Sequence, residues 1–417
     1  MQNRRNAIYL LLILSLGTGL FTGQAFFFNV AYIFGGLLVL SALWSWLAVR
    51  WINIGRKTRS RRAQVGRTLE EVFFVHNRSI IPKLWLEVLD QSTLPGHEVS
   101  RVVPALGGRS THQWRVQTYC TSRGNFRLGP MTIASGDPFG LFVTQRNLDA
   151  NSHIVVYPAT VHLNQFGLPM GMLAGGEAQR RRSHYVTTNA SGVRDYVPGD
   201  SFNRIHWRSS ARKDRLIVKE FEIDPQVDIW LFADFSKTSL FEASTVQRVE
   251  GTGPLISSQG SLSASTEEYV AVIAASLAQY FVNLERSLGF AAYTPNRVIH
   301  QPDRGNRQLT RILESLAVAR SLSDYTLSQM LTLETPYFTR GTTLLIITST
   351  MDTSWITTAQ ILSSRGMRVM CVAADVTSFG GPTVTEDMKK RLRVAKIPAI
   401  FVRRNDDIGS VLERGAM

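Results

Sequence analysis

Charged residues are absent from Asn6 through Val49, a run that reads NAIYLLLILSLGTGLFTGQAFFFNVAYIFGGLLVLSALWSWLAV. A helix crossing a bilayer uses about 20 mostly apolar residues. The run is too long for one crossing and suits two, with a turn at Thr22, Gly23 and Gln24, so residues 1–50 are expected to form a transmembrane helical hairpin. A cleaved signal sequence is the simpler alternative, but it needs only one short apolar core and leaves the second stretch as a span. Beyond the run the period shortens. LEEVFFVHN, KLWLEVLD, QWRVQTYC and HIVVYPA mix β-branched, aromatic and alternating polar positions. Turn signals part them at Ile81-Pro82, Leu94-Pro95-Gly96, Gly107-Gly108 and Arg123-Gly124-Asn125. That spacing predicts an all-β, sandwich-like domain over residues 68–165. Within it, GDPFGLF (Gly136–Phe142) reads as a turn carrying Asp137, with Phe139, Leu141 and Phe142 in the core.

The Gly-rich, then Arg-rich stretch 166–190 reads as a flexible linker with Arg180, Arg181 and Arg182 solvated. From residue 223 to 417 the pattern changes again. VDIWLFAD, TLLIITS and MRVMCVAAD are short, nearly continuous apolar runs, as buried parallel strands are. Helical periodicity separates them: YVAVIAASLAQYFVNLERSL after a capping-box spacing of Ser265 and Glu268, then about Arg307–Val318, ITTAQILSS and Thr385–Val394. FAAYT and AIFVRR complete the strands. Alternating strands and helices predict an open α/β sheet covered on both faces, with any ligand site beyond the carboxyl ends of the strands.

Charge sets the orientation. Arg4 and Arg5 precede the first span. Arg50, Arg56, Lys57, Arg59, Arg61, Arg62 and Arg67 follow the second, and no acid occurs before Glu70. Basic flanks stay inside, so both ends of the hairpin, and the soluble domains, are expected on the cytoplasmic side of the cell membrane. Residues 51–67 then form a basic juxtamembrane segment, and residues 50–67 can hold anionic lipid at about 1 kcal/mol per Lys or Arg. Much of the formal net charge of +14, from 46 Lys+Arg and 32 Asp+Glu, is juxtamembrane, so no nucleic-acid partner is needed to explain it. Cys120 and Cys371, in separate apolar stretches, suit a reducing compartment.

The most distinctive segment is SGVRDYVPGDSFNRIHWRSSARKDRLIVKEFE, Ser191–Glu222. Pro198-Gly199 makes a turn, Asp200 is a good N-cap for a helix over SFNRIHWRSSARK, and RLIVKEF returns as a strand. Its basic residues Arg194, Arg208, Arg212 and Lys219 are interleaved with Asp195, Asp200, Glu220 and Glu222. Two readings follow. One is an interdomain clamp anchored by a buried Trp207; the other is a docking surface for an acidic partner. The segment resembles the signature of the domain of unknown function 58 family through Gly192, Arg194, Tyr196, Pro198-Gly199-Asp200, Ile205, Trp207, Ser210-Ala211-Arg212, Leu216, Val218-Lys219 and Phe221-Glu222. The order of parts is similar to that family over almost the whole chain: membrane hairpin, β domain, signature, then a von Willebrand factor A-like domain over 223–417. The resemblance implies a partner, a MoxR-type AAA+ ATPase system of bacteria and archaea, and brings no defined activity.

Asp234-Phe235-Ser236-Lys237-Thr238 follows VDIWLFA directly. A von Willebrand-type metal site has Asp-x-Ser-x-Ser there, one carboxylate and two hydroxyls that hold Mg²⁺ with waters and a partner carboxylate. Asp234, Ser236 and Thr238 are therefore candidates for a degenerate Mg²⁺ site, the alternative being a metal-free, hydroxyl-lined loop. The second loop should bring a Thr near 303–310, where only Thr310 is present, and the third an Asp where Ser349 stands, with Asp352 three residues late. There is no Walker A loop, HExxH, GxSxG or zinc-spaced cysteine cluster. The expectation is a non-enzymatic, membrane-tethered adaptor or scaffold. The alternatives are a nuclease-like, metal-dependent hydrolase using Asp195 or Asp200 with Lys219 and Glu220, and a purely structural envelope-assembly protein.

Overall fold

The computed structural model describes residues 2–149, 151–167, 190–198, 200, 202–221, 228–242, 265–382 and 385–415. The chain divides into two compact units, the first ending at Ala159 and the second beginning at Thr160. The expected linker 166–190 lies outside the described residues except at its ends.

The first unit opens with α1 (Gln2–Thr22) and α2 (Ala25–Ala48), two helices long and apolar enough to cross a membrane. Gly23, with φ +70, makes the reversal between them, a conformation that favours glycine. The Ser15 hydroxyl donates to the Phe27 carbonyl at 2.7 Å, which ties the pair together and satisfies that hydroxyl.

Ten strands follow: β1 (Ile52–Thr58), β2 (Arg62–Gln64), β3 (Thr68–Asn77), β4 (Leu86–Asp90), β5 (Arg101–Val103), β6 (Thr111–Tyr119), β7 (Gly124–Leu128), β8 (Met131–Gly136), β9 (Val143–Leu148) and β10 (Ser152–Tyr157). They form antiparallel sheets β1-β3-β6 and β5-β4-β8-β9, and a small sheet β2-β10-β7. β3 alternates, turning Leu69, Glu71, Phe73, Val75 and Asn77 inward. Phe73, Val75 and Trp114 of one sheet share a core with Leu86, Val88, Met131 and Ile133 of the other, as a sandwich does. The stretch expected as a basic juxtamembrane segment is built into these sheets as β1 and β2. Its Arg56 is buried: the guanidinium lies 2.8 Å from Asp90 and 3.7 Å from Glu71, with His97 Nε2 3.2 Å from Glu71. Burial pushes the Asp90 carboxyl up, but hydrogen bonds from His97 and Ser92 and the charges of Arg56 and His97 outweigh it and hold it below its usual value.

The second unit starts earlier than expected. Val161 N–H donates to Ser276 and Phe166 N–H to the Tyr280 hydroxyl, so Thr160–Phe166 belong with the later residues. The unit contains β11 (Ala190–Asp195), α3 (Trp207–Lys213) and β12 (Ile217–Phe221), with β11 and β12 paired antiparallel. Then come β13 (Ile229–Ala233), α4 (Thr266–Asn283), β14 (Leu288–Tyr293), β15 (Arg297–Asp303), α5 (Asn306–Val318), α6 (Leu327–Glu334), β16 (Thr343–Thr348), α7 (Ser354–Ser364), β17 (Arg368–Ala374), α8 (Thr385–Val394), β18 (Ala399–Val402) and α9 (Ile408–Arg414). The sheet runs β15-β14-β13-β16-β17-β18, parallel except for β15 at the edge. One face packs Trp230, Phe232, Leu344, Ile346 and Cys371 against α6, α7 and α8. The almost wholly buried α4 covers β13, β14, β16 and β17. The hydrophobic pattern does not mark β15, α6 or α9. Because strand order reverses between β13 and β16, the loops leaving their carboxyl ends part there, which is where open α/β sheets form binding crevices.

Candidate functional site

The β13 carboxyl end delivers Asp234 to that crevice, almost fully buried. Both carboxylate oxygens are used: Oδ1 accepts from Ser236 N–H at 2.9 Å and Oδ2 from the Thr348 hydroxyl of β16 at 2.6 Å. Burial pushes the Asp234 carboxyl up, with the Thr348 and Ser236 hydrogen bonds opposing. Ser236 Oγ and Thr238 Oγ1 lie 3.2 Å apart. The Ser239 carbonyl accepts from both Thr266, at the head of α4, and Ser349. Asp234, Ser236 and Thr238 are thus brought together.

The other ligand positions fall differently. Thr310 lies inside α5. The loop beside Ser236 is the one after α5: Lys237 N–H donates to the Ser323 carbonyl, and Ser323 N–H to the Phe235 carbonyl. Ser321 and Ser323 there are buried, and nothing in the spacing singles them out. Asp352 accepts from Ser354 N–H at the start of α7 instead of completing a carboxylate pair. Among the described residues no group of three acidic, His or Cys side chains could hold a metal. One buried carboxylate, satisfied by Ser236 N–H of its own loop and by the Thr348 hydroxyl of β16, and hydroxyls paired with each other or with a carbonyl fit a hydrogen-bonded scaffold better than a resident hard cation. The rim above is exposed: Lys237 pairs with Asp324 at 2.6 Å, and Leu240, Leu322 and Tyr325 face solvent.

The signature folds locally. Arg194 grips Asp200 with two bonds of 2.7 Å, and Val197 N–H donates to the same carboxylate, closing the turn at Pro198. Asp200 is therefore not a helix cap. The helix is only α3, and the His206 side chain caps it by accepting from Ser209 N–H. Ser210 accepts from Ile217 N–H, holding α3 on β12. Tyr196 stacks on Phe202. Ile205 is buried, bridged to Val218. Trp207, expected as a buried anchor, is 65 % exposed. α3 starts only after His206, and its buried face is taken by the small Ser210, so Trp207 points elsewhere. Arg208 and Arg212 are exposed beside it. Asp195, the other candidate acid, pairs with Arg215 at 3.0 Å. Gly199, Glu222 and the side chains of Lys219 and Glu220 lie outside the described residues.

Residues 192–255 match the family model "Protein of unknown function DUF58". The curated "Uncharacterized protein YeaD" of Bacillus subtilis (strain 168) is 27% identical over 124 residues, which is 29% of this chain and 30% of that protein. The chain thus matches less than a third of that relative's length. Among solved structures, the CARDB domain of a Pyrococcus furiosus protein in complex with di-metal ions matches 25% of this chain and 91% of its own, at 16% identity and TM-score 0.20. A beta-glucosidase from Listeria innocua in complex with glucose matches 25% and 16%, at 13% identity and TM-score 0.17. Likenesses at those scores carry no weight for fold or function. The DUF58 match falls on the segment that presents Trp207 and its arginines.

Proposed function

We propose that the chain is a membrane-tethered adaptor whose second unit docks a protein partner, and that the partner belongs to a MoxR-type AAA+ ATPase system. The observation that carries this reading is the exposed Trp207, flanked by Arg208 and Arg212, on the DUF58 segment. Trp and Arg are the residues that most often dominate binding energy at protein interfaces, and the arginines suit an acidic partner surface. The rim residues Lys237, Leu240, Leu322 and Tyr325 add a second patch of interface type. The second unit is read as von Willebrand factor A-like. The strand order, the antiparallel edge strand and the Asp-Phe-Ser-Lys-Thr loop after the central β13 support that reading. In it, Mg²⁺ at Asp234, Ser236 and Thr238 is not required, because the Asp234 carboxylate already accepts from Ser236 N–H and the Thr348 hydroxyl. The basic flanks of the hairpin support a cytoplasmic location for both units.

The test uses the full chain in lipid nanodiscs as bait, with wild type, Trp207→Ala and Arg212→Glu side by side. Capture of an AAA+ ATPase by wild type, with both variants weakened, is expected. Equal capture by all three, or no ATPase on wild type, refutes the reading.

A further inference from the structure

Two loops of the β domain surround the end of the helical pair where α1 begins and α2 ends. Arg78 N–H donates to the Trp51 carbonyl at 2.8 Å, and Lys83 Nζ to the Leu47 carbonyl at 2.6 Å, which brings residues 78–84 against the α2 terminus. The hydroxyls of Ser45 and Thr144 are 2.8 Å apart, and the Arg5 guanidinium lies 5.7 Å over the Phe142 ring, which brings residues 139–144 against both helices. No flexible tether separates helix from sheet: Val49 already sits in the sandwich core.

These loops should be polar if water covered them. Instead Ile80 is 75 % and Phe139 54 % exposed, and Ile81, Leu84 and Val143 are exposed too. Phe139 is expected in the core from its sequence; the Asp137 carboxylate, accepting from the backbone N–H of Phe139, Leu141 and Phe142, folds the turn so that Leu141 goes in and Phe139 out. Helix length points the same way. About 20 residues are needed to cross the hydrocarbon core, and counted from Ala25 these reach Trp44. Ser45, level with the Thr144 edge of the sheet, is the next residue. The sheet edge and both loops therefore stand at the depth where acyl chains give way to head groups. Exposed Arg4, Arg78 and Arg109 accompany them.

We propose that this collar is a second membrane contact: Ile80, Ile81, Leu84, Phe139 and Val143 sink into the acyl boundary of the leaflet that α2 leaves, and Arg4, Arg78 and Arg109 meet anionic head groups. Apolar side chains beside basic ones are what an interfacial anchor needs. The idea rests on α1 and α2 crossing a bilayer, and it moves lipid contact from the β1–β2 stretch to the two loops. Single cysteines test it in the full chain: Leu40→Cys, Ile80→Cys, Phe139→Cys and Tyr119→Cys, each carrying an environment-sensitive fluorophore. Native Cys120 and Cys371 are fully buried and stay unlabelled. Tyr119 pairs with Thr68, at the far end of β3 from Asn77, roughly 30 Å away. The chain is reconstituted in phosphatidylcholine–phosphatidylglycerol vesicles containing lipids with a shallow spin-label quencher. The expected result is blue-shifted, quenched emission at positions 80 and 139 and none at 119. Quenching at 40 without quenching at 80 and 139 overturns the collar and leaves the spans standing. Loss of quenching at 40 as well overturns both.

Discussion

Truncating Trp207 separates docking from clamping. With 65 % of the residue exposed, about a third of its surface is covered. A fully buried Trp cut to Ala costs about 3–5 kcal/mol, so a third of that is about 1–1.7 kcal/mol. Ile205 is 4 % exposed and bridged to Val218, and cutting a buried Ile to Ala costs about 2–5 kcal/mol. The readout is amide exchange at Ile217, whose N–H donates to Ser210, and at Tyr196, whose N–H donates to the Leu216 carbonyl. Exchange through local opening scales with the opening free energy. Ile205→Ala should therefore speed these amides by about 30-fold or more, and Trp207→Ala by about 15-fold or less, at 1.4 kcal/mol per factor of ten. Binding should show the reverse order: an interface Trp cut to Ala costs about 2 kcal/mol or more in affinity. If Trp207→Ala loosens the hairpin as much as Ile205→Ala does, Trp207 is a structural anchor and the docking assignment fails.

Further outcomes follow from the geometry. Asp234→Ala strands the Thr348 hydroxyl and the Ser236 N–H, buried donors worth about 1–3 kcal/mol each, so chemical denaturation of the chain should show a loss of about 2 kcal/mol or more; an unchanged midpoint refutes the scaffold role. The Asp90 carboxyl sits below its ordinary 3.8 in the folded state, so its share of stability is present above 3.8 and is lost as pH falls through the lower folded value. Acid-melting curves should therefore lose slope in that window in Asp90→Asn. Lys83 is depressed by burial; its charge opposes folding at neutral pH, and that cost fades as pH rises from the depressed value toward 10.5, so Lys83→Met should flatten an alkaline rise in melting temperature. An impermeant thiol reagent applied to intact cells should label Gln24→Cys and spare Tyr119→Cys; labelling at 119 would reverse the proposed orientation.

Local pattern was enough for the helical pair and for the parallel strands of the second unit, because a charge-free run and a continuous β-branched run each admit few conformations. The turn at Asp137 was also readable, since Asp before Pro folds its own backbone. Where side chains ended up was another matter. INIGRKT lacks strand alternation and reads as a basic tether. It becomes β1 because Glu71 and Asp90, distant in sequence, neutralise Arg56 inside the sandwich. Phe139 looks like core and is exposed; Trp207 looks like an anchor and is exposed; Ser323, which no spacing singles out, is buried beside Ser236. Each of these depends on which distant element lies alongside. The sequence by itself determined the periods, the turns and the two long apolar helices, since these arise from backbone and neighbour interactions a few residues long. Only the tertiary structure decided the partners of Asp234, the burial of Arg56 and the solvent face of Trp207, because a side chain's environment is set by non-local contacts that periodicity does not encode.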